Sequence, residues 1–301
     1  MLSLGIDIGG TKIASGLVDA AGAVHEARSH LVEGPAETAF HQVLDLARSH
    51  LASYPIQHIG VVLPGGVDPK TRVVASAPHL GWTDMPLAQR LGAELNRGVH
   101  VENDANAAAW AEHRFGAGRG GDSTALITIG TGIGGGLVVD NRLLVGRHGL
   151  GGQLGHIPRV TGGHPCACGA DGCWEQYASG SALRAEARRR NWRPGPITGE
   201  EVLSAAVHGD PAAVRLIEWV SGHLAHGLTT IAAFLDPGEV VLGGGLGSDK
   251  RFVEYVRAAL DAFHPSPSRG PVTVVGAELG IHSGVIGAAD LAATVGGSAP
   301  R

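Results

Sequence analysis

The spacing of apolar positions divides the chain into two runs of strands, each followed by helices. The opening reads as three short strands joined by turns, at 2–8, 12–19 and 24–32, with Ala20-Ala21-Gly22 as one of the turns. Between 36 and 53 the period lengthens: Phe40, Val43, Leu44, Ala47 and Leu51 recur at helical spacing. His58-Ile59-Gly60-Val61-Val62-Leu63 is a continuous apolar run stopped by Pro64-Gly65-Gly66, the pattern of a buried strand entering a loop. A strand at 98–101 and a helix from Asp104 to Phe115 follow, and the glycine-rich stretch 116–122 reads as a hinge.

The second run predicts strands at 124–129, 135–140 and 143–146, then a glycine- and cysteine-rich loop at 149–175. Helices are expected at 176–190, 199–208, 211–235 and 249–263, strands at 239–243 and 271–276, and a last helix at about 283–294. Strands alternating with helices in this way predict an α/β protein. The expected division is an N-terminal domain at 1–117, completed by a C-terminal helix at 283–301, and a larger domain at 118–282.

An internal similarity links the two runs. Ile6-Asp7-Ile8-Gly9-Gly10-Thr11 and Ile127-Thr128-Ile129-Gly130-Thr131-Gly132 are both apolar strands that end in a Gly/Thr turn. Each continues into a second strand through Gly16-Leu17-Val18 or Gly136-Leu137-Val138. Two such copies predict a duplicated domain with a nucleotide gripped by both turns. Gly9 and Gly10 let backbone N–H groups approach an anion, and Thr11 adds a hydroxyl donor. Asp7 on the preceding strand is placed to hold a hydrated Mg²⁺. Gly244, after the strand ending at Leu242, is a third approach point.

Composition narrows the class. The chain has 301 residues, 44% hydrophobic and 17% charged, which predicts a globular protein of about two domains. A net charge of −5 offers no basic field for nucleic acid and no polybasic patch for a membrane. The first residues lack a signal-peptide pattern, and no apolar window is long enough to span a bilayer, so the expectation is a cytoplasmic protein.

All three cysteines lie within eight residues, in Cys166-x-Cys168-Gly-x2-Gly-Cys173, with His156 and His164 upstream. Three thiols and one imidazole form a common structural zinc set, closed to substrate because all four positions are filled. Either histidine serves on spacing alone. Asp104, at a strand end and helix start, is a candidate general base or an N-cap. Asn103 beside it suits a vicinal diol, and Glu175, fixed by its closeness to Cys173, suits sugar hydroxyls.

These motifs, in this order, resemble the ROK family of bacterial sugar kinases and sugar-responsive repressors. The resemblance rests on Asp7-x-Gly-Gly-Thr-Lys12, Pro64-Gly65-Gly66-Val67, Glu102-Asn103-Asp104-Ala105-Asn106, Thr131-Gly-Ile-Gly-Gly-Gly136, Gly155-His156 and the cysteine loop. It implies the actin-like ATPase (ribonuclease H-like) fold, with two α/β domains, an interdomain cleft and assembly as a homodimer or homotetramer. It implies Asp104 as the base acting on a sugar C6 hydroxyl, with Gly65, Gly66, Asn103, Gln153, His156 and Glu175 on the sugar. It implies Asp7, Gly9, Gly10, Thr11, Lys12, Thr131, Gly132, Gly134 and Gly244 on ATP with Mg²⁺. It also implies His156, Cys166, Cys168 and Cys173, and not His164, on structural Zn²⁺.

One position departs from the family. Members acting on glucose carry Gly-Glu-x-Gly-His, whereas this chain reads Gly152-Gln153-Leu154-Gly155-His156. The expected activity is a glucokinase-like ATP:hexose 6-phosphotransferase. The alternatives are a kinase for N-acetylmannosamine or another hexose, or a non-catalytic sugar-binding regulator. The repressor members carry a DNA-binding segment ahead of the first glycine turn, and here Asp7 is almost the first residue.

Overall fold

The computed structural model describes residues 1–34, 36–263 and 272–295. Its chain divides into two compact units. The first holds Met1–Phe115, Leu143–Gly151 and the described chain from Ile281 onward; the second holds Gly116–Arg142 and Gly152–Gly280. Residues 143–151, assigned to the larger domain from sequence, thus group with the first unit. Residues 296–301 of the expected C-terminal helix and residue 271 of an expected strand lie outside the described residues.

In the first unit β1 (Leu2–Ile8), β2 (Lys12–Val18) and β3 (Val24–Leu31) form an antiparallel meander. Helix α1 (Ala36–Ser53) leads to β4 (Ile56–Leu63). A small sheet of β5 (Gly66–Val67), β6 (Val74–Ala77) and β7 (Trp82–Met85) follows, then α2 (Leu87–Leu95), β8 (Val99–Asn103) and α3 (Asp104–Phe115). The main sheet runs β3-β2-β1-β4-β8, with β4 parallel to both β1 and β8. Ile6, Ile8, Val61 and Leu63 are fully buried with Val43, because the central strands are covered on both faces.

The second unit repeats this order. Strands β9 (Thr124–Ile129), β10 (Ile133–Val139) and β11 (Arg142–Leu143) come first, then a 3₁₀ turn at Leu154–His156. Helices α4 (Glu175–Ala178), α5 (Gly180–Arg189), α6 (Gly199–Val207) and α7 (Pro211–Leu235) lead to β12 (Glu239–Gly243). The unit ends with α8 (Gly244–Gly247), α9 (Lys250–Phe263) and β13 (Val274–Gly276). The sheet order β11-β10-β9-β12-β13 matches the first sheet element for element, and β9 is antiparallel to β10 and parallel to β12. Two sheets with this shared topology are the architecture of the actin-like fold.

Helix α10 (Ser283–Val295) returns to the first sheet, and glycine makes its approach possible. A Cβ on Gly5 would lie 1.9 Å from the Val285 carbonyl oxygen, and one on Gly60 would lie 1.8 Å from that of Ala288. Backbone therefore packs directly on backbone.

Two expectations are corrected, and one region holds elements that were not expected. The helix predicted at 176–190 is two helices, because Ser179 is extended (φ −89°, ψ 169°) and its hydroxyl accepts from Ala182 N–H as a new N-cap. The strand predicted at 143–146 is only Arg142–Leu143. The small sheet between 66 and 85, and α2 after it, have no counterpart in the periodicity. Among the described residues no helix is long and apolar enough to cross a membrane.

Candidate functional site

In the first unit, the parallel register places Asp7 beside Val62, and Val62 beside Glu102. Asp7 and Asp104 therefore leave the same end of the sheet. Both carboxyls are enclosed by protein, yet neither residue is sealed from solvent. Burial, and then the charge of Asp104, raise the Asp7 pKa to about 7. Burial also raises that of Asp104, opposed by the hydrogen bond its Oδ1 accepts from Ala105 N–H at 2.8 Å.

The helix cap is Asn103 rather than Asp104. Asn103 Oδ1 accepts from Asn106 N–H at 3.0 Å, and its Nδ2 donates to the Gly65 carbonyl at 3.0 Å. The cap leaves Asp104 with local bonds alone, to Ala105 N–H, its own backbone N–H and the Asn103 side chain, all of which favour the ionised carboxylate. Gly65 must be glycine: its φ is 141°, and a Cβ there would lie 2.2 Å from the Ser76 carbonyl oxygen. Gly66 beside it faces open space. The glycine turn after β1 is closed by Gly9 N–H donating to Lys12 O at 2.8 Å, and Gly10, Thr11 and Lys12 stand exposed.

In the second unit the matching turn, Gly130–Gly132, is braced by the start of α5. Gly180 N–H donates to Gly130 O at 2.9 Å, and Gly130 N–H to Gly132 O at 3.0 Å. Gly134 pairs with Thr128 in the following strand. Gly244 has φ 78°, and a Cβ there would lie 2.7 Å from the Ile129 carbonyl oxygen, so this approach point again requires glycine. Glu175 Oε2 accepts from Ile133 N–H at 3.3 Å, against the same turn. Its Oε1 lies 3.2 Å from Cys166 Sγ and 3.9 Å from His156 Nδ1. One carboxylate thus ties the glycine turn to the cysteine loop.

The ligand atoms of His156, Cys166, Cys168 and Cys173 all lie within 4.8 Å of one another. Tetrahedral zinc–thiolate bonds of about 2.3 Å require sulfurs roughly 3.8 Å apart, and Cys168 and Cys173 Sγ are 3.5 Å apart. Burial, then the neighbouring thiols, push Cys173 up to about 12. The spacing of these four donor atoms fits a metal, whose charge would favour the thiolates. His164 is engaged elsewhere: its ring stacks on Tyr177 at 5.0 Å and its N–H donates to the Tyr177 hydroxyl. Gln153 sits exposed just ahead of the 3₁₀ turn that carries His156.

The ROK family pattern matches residues 3–295. The glucokinase of Streptomyces coelicolor is 36% identical over 312 residues, covering 97% of each chain. The bifunctional enzyme NanE/NanK of Brucella melitensis is 34% identical over 97% of this chain and 54% of its own. Among solved structures, a ROK family glucokinase from Streptomyces griseus in complex with glucose and AMPPNP superposes with a TM-score of 0.85. It is 36% identical, covering 98% of this chain and 100% of its own. The chain belongs to the ROK family.

Within this ROK chain, sequence reasoning missed the support beneath Asn103. Arg72 and Glu102 form an ion pair there, and Glu102 is 3% exposed. The one available signal was a carboxylate placed directly after the apolar strand residue Val101, where a solvated side chain is out of place.

Proposed function

We propose that the chain is an ATP-dependent hexose kinase that phosphorylates the C6 hydroxyl of a monosaccharide, glucose first. The observation that carries this reading is the enclosed carboxyl of Asp104. Its pKa is raised by burial, it lies close enough to Asp7 to raise that group's pKa, and Asn103 relieves it of the capping role. A raised carboxylate is a better base than an ordinary one near neutrality. The family membership and the full-length likeness to glucokinases support the same reading.

In this reading Asn103, Glu175 and His156 orient the sugar, with the Gly65-Gly66 backbone against one edge and Gln153 near another. Asp104 takes the C6 hydroxyl proton as that oxygen attacks the γ-phosphorus, and ADP leaves. Gly9, Gly10, Thr11 and Lys12 in the first unit serve the phosphates, as do Thr131, Gly132 and Gly134 in the second. Gly244 admits the nucleoside. Bound Mg²⁺, held near Asp7, would neutralise phosphate charge. Structural Zn²⁺ on His156, Cys166, Cys168 and Cys173 would fix the His156 tautomer, leaving its second ring nitrogen a dependable donor. The protein is proposed to work in the cytoplasm as a homodimer or homotetramer.

A second reading concerns the sugar. Gln153 keeps the size of the usual glutamate but exchanges a charged acceptor for an amide with two donors. That favours N-acetylmannosamine or a related hexosamine. A panel of hexoses in a coupled ADP assay with MgATP tests both. The kinase reading expects ADP release with one hexose and a fall of about 10²–10⁴-fold in Asp104→Asn. Silence of the wild type with every sugar, with sugar binding intact, would leave the chain a sugar-binding regulator.

A further inference from the structure

Helix α7 presents an uncharged face to solvent. From Trp219 to Leu235 its sequence holds no Asp, Glu, Lys or Arg. A helix without charged positions is ordinarily buried all round. Here it is not. At 3.6 residues per turn Trp219, Gly222, His223, His226, Thr230 and Phe234 fall on one stripe, and each of them is partly or fully exposed. Burial, then the Arg159 charge, lowers the His223 pKa to about 4 and lowers that of His226 as well. Both rings are therefore neutral near pH 7, and the stripe stays uncharged.

The stripe has a knob toward one end and a notch toward the other. Phe234 is the knob, 84% exposed among the described residues. The notch is a cavity of about 290 Å³ lined by Trp219, Gly222, His226, Ala259 and Phe263, with Arg159 and the flanking Glu218. Gly222 keeps it open, since a Cβ there would meet nothing within 4 Å. Gly222 and Phe234 lie about 18 Å apart along the helix axis. A lone exposed ring is ordinary on a protein surface. A ring and a notch on one charge-free stripe are a matched pair.

That pair is self-complementary. When two copies lay the stripe together antiparallel about a two-fold axis, Phe234 of each enters the notch of the other. An aromatic anchor in such a notch carries much of the energy of a contact. The charges agree with this register. Asp236, exposed just past Phe234, comes beside the partner's Arg159. A guanidinium has five donors and serves that carboxylate together with its own Glu218. A lipid surface fits less well, because interfacial helices border their apolar face with Lys and Arg, and α7 has neither after Arg215.

The face is held rigid from behind. A Cβ on Gly227 would lie 2.1 Å from Trp174 Cε2, and Trp174 Nε1 donates to the His223 carbonyl at 2.8 Å. Such a surface meets a partner with little to order. We propose that α7 is the seam of an isologous dimer of this chain, antiparallel to its copy, with each Phe234 in the other's Gly222 notch. The inference rests on the proposed homo-oligomeric assembly and adds where two copies meet.

The test is sedimentation of the full chain over a range of concentrations, wild type against Phe234→Glu and Gly222→Glu. Both positions are open, so the fold should tolerate both, and urea midpoints check this. Each variant should halve the assembled mass or raise the dissociation constant about thirtyfold or more, the scale of an interface anchor. Asp236→Asn should weaken assembly less, and should add nothing in an Arg159→Met background. A photoreactive p-benzoylphenylalanine in place of Phe234 should cross-link to the segment Trp219–His226 of the partner subunit. A wild type that stays monomeric at every concentration overturns both the seam and the proposed assembly, whether its stripe is protected from hydrogen exchange by the chain itself or lies bare. An oligomer whose dissociation constant neither variant changes overturns the seam alone, as does a cross-link joining position 234 to its own equivalent. Cross-linking at 234 to a different protein in cells, with no copy of this chain captured, also overturns it.

Discussion

Arg72 Nη1 donates to Glu102 Oε2 at 2.9 Å, and the other oxygen of that carboxylate holds two groups of the candidate site in place. Glu102 Oε1 accepts from Asn103 N–H at 3.0 Å and from Asn106 Nδ2 at 3.1 Å. Arg72 reaches it from a turn in which Asp68 Oδ1 accepts from Lys70 N–H, Thr71 N–H and the Thr71 hydroxyl. The hairpin bearing Gly65 and Gly66 is thus clamped to β8 twice, once by Arg72 and once by Asn103 Nδ2. Arg72→Met leaves a buried carboxylate without its charge partner, a change that costs about 3–5 kcal/mol in such pairs. The expected result is a lower urea midpoint and a kcat reduced about tenfold or more, with the ATP KM little changed. If kcat follows only the folded fraction, the pair supports stability and not the site.

The Asp7 carboxyl sets a stability term that runs against the usual acid response. Its pKa rises from the ordinary carboxylate range to about 7, so between about pH 4 and pH 7 the folded protein holds a proton that the unfolded chain has released. The stabilisation is fully present below about pH 4 and is lost as the pH passes 7. Asp7→Asn should therefore raise the urea midpoint at pH 8, by free energy on the order of a few kcal/mol, and much less at pH 5. A midpoint difference independent of pH would remove the shift.

The cysteine loop links the proposed zinc to substrate recognition through Glu175 Oε1, which lies 3.2 Å from Cys166 Sγ and 3.9 Å from His156 Nδ1. Metal analysis should find about one zinc per chain, within the usual four-ligand stoichiometry. Cys168→Ser should lose it, and the sugar KM should rise about tenfold or more, as outer-shell changes commonly do. Zinc loss with an unchanged sugar KM would show that the loop has no part in recognition.

Legibility in the sequence followed the scale of the interaction. Period and glycine turns read out the strands because each strand is buried by its own residues. The duplicated order β3-β2-β1-β4-β8 and β11-β10-β9-β12-β13 was visible as Ile6–Thr11 against Ile127–Gly132. The cysteine spacing likewise carried its own geometry, while the choice of His156 over His164 needed either a family likeness or the stacking on Tyr177. Strands β5 to β7 were invisible because two to four residues cannot show a period. The Arg72–Glu102 pair was invisible because it joins positions 30 residues apart. The break at Ser179 turns on one backbone angle within a stretch whose apolar spacing is helical on both sides.

Helix α10 closes the account of Asp7. A Cβ placed on Gly284 would lie 2.2 Å from Asp7 Oδ2 and 2.7 Å from its Cγ, inside any contact distance. Asp7 has little freedom to retreat, since it is enclosed and faces the charge of Asp104. Gly284→Ala must therefore either rotate the carboxylate out of its place or lift the start of α10 from β1. The first outcome raises the Mg²⁺ concentration needed for half-maximal activity, about tenfold if one ligand oxygen is lost, and leaves the sugar KM alone. The second lowers stability by about 1–3 kcal/mol, the usual cost of overpacking. Gly98→Ala is the control, because a Cβ there meets nothing within 4 Å. Magnesium-dependence curves and urea midpoints for both variants separate the cases, and a Gly284→Ala protein identical to Gly98→Ala in both would mean that Asp7 does not sit against α10.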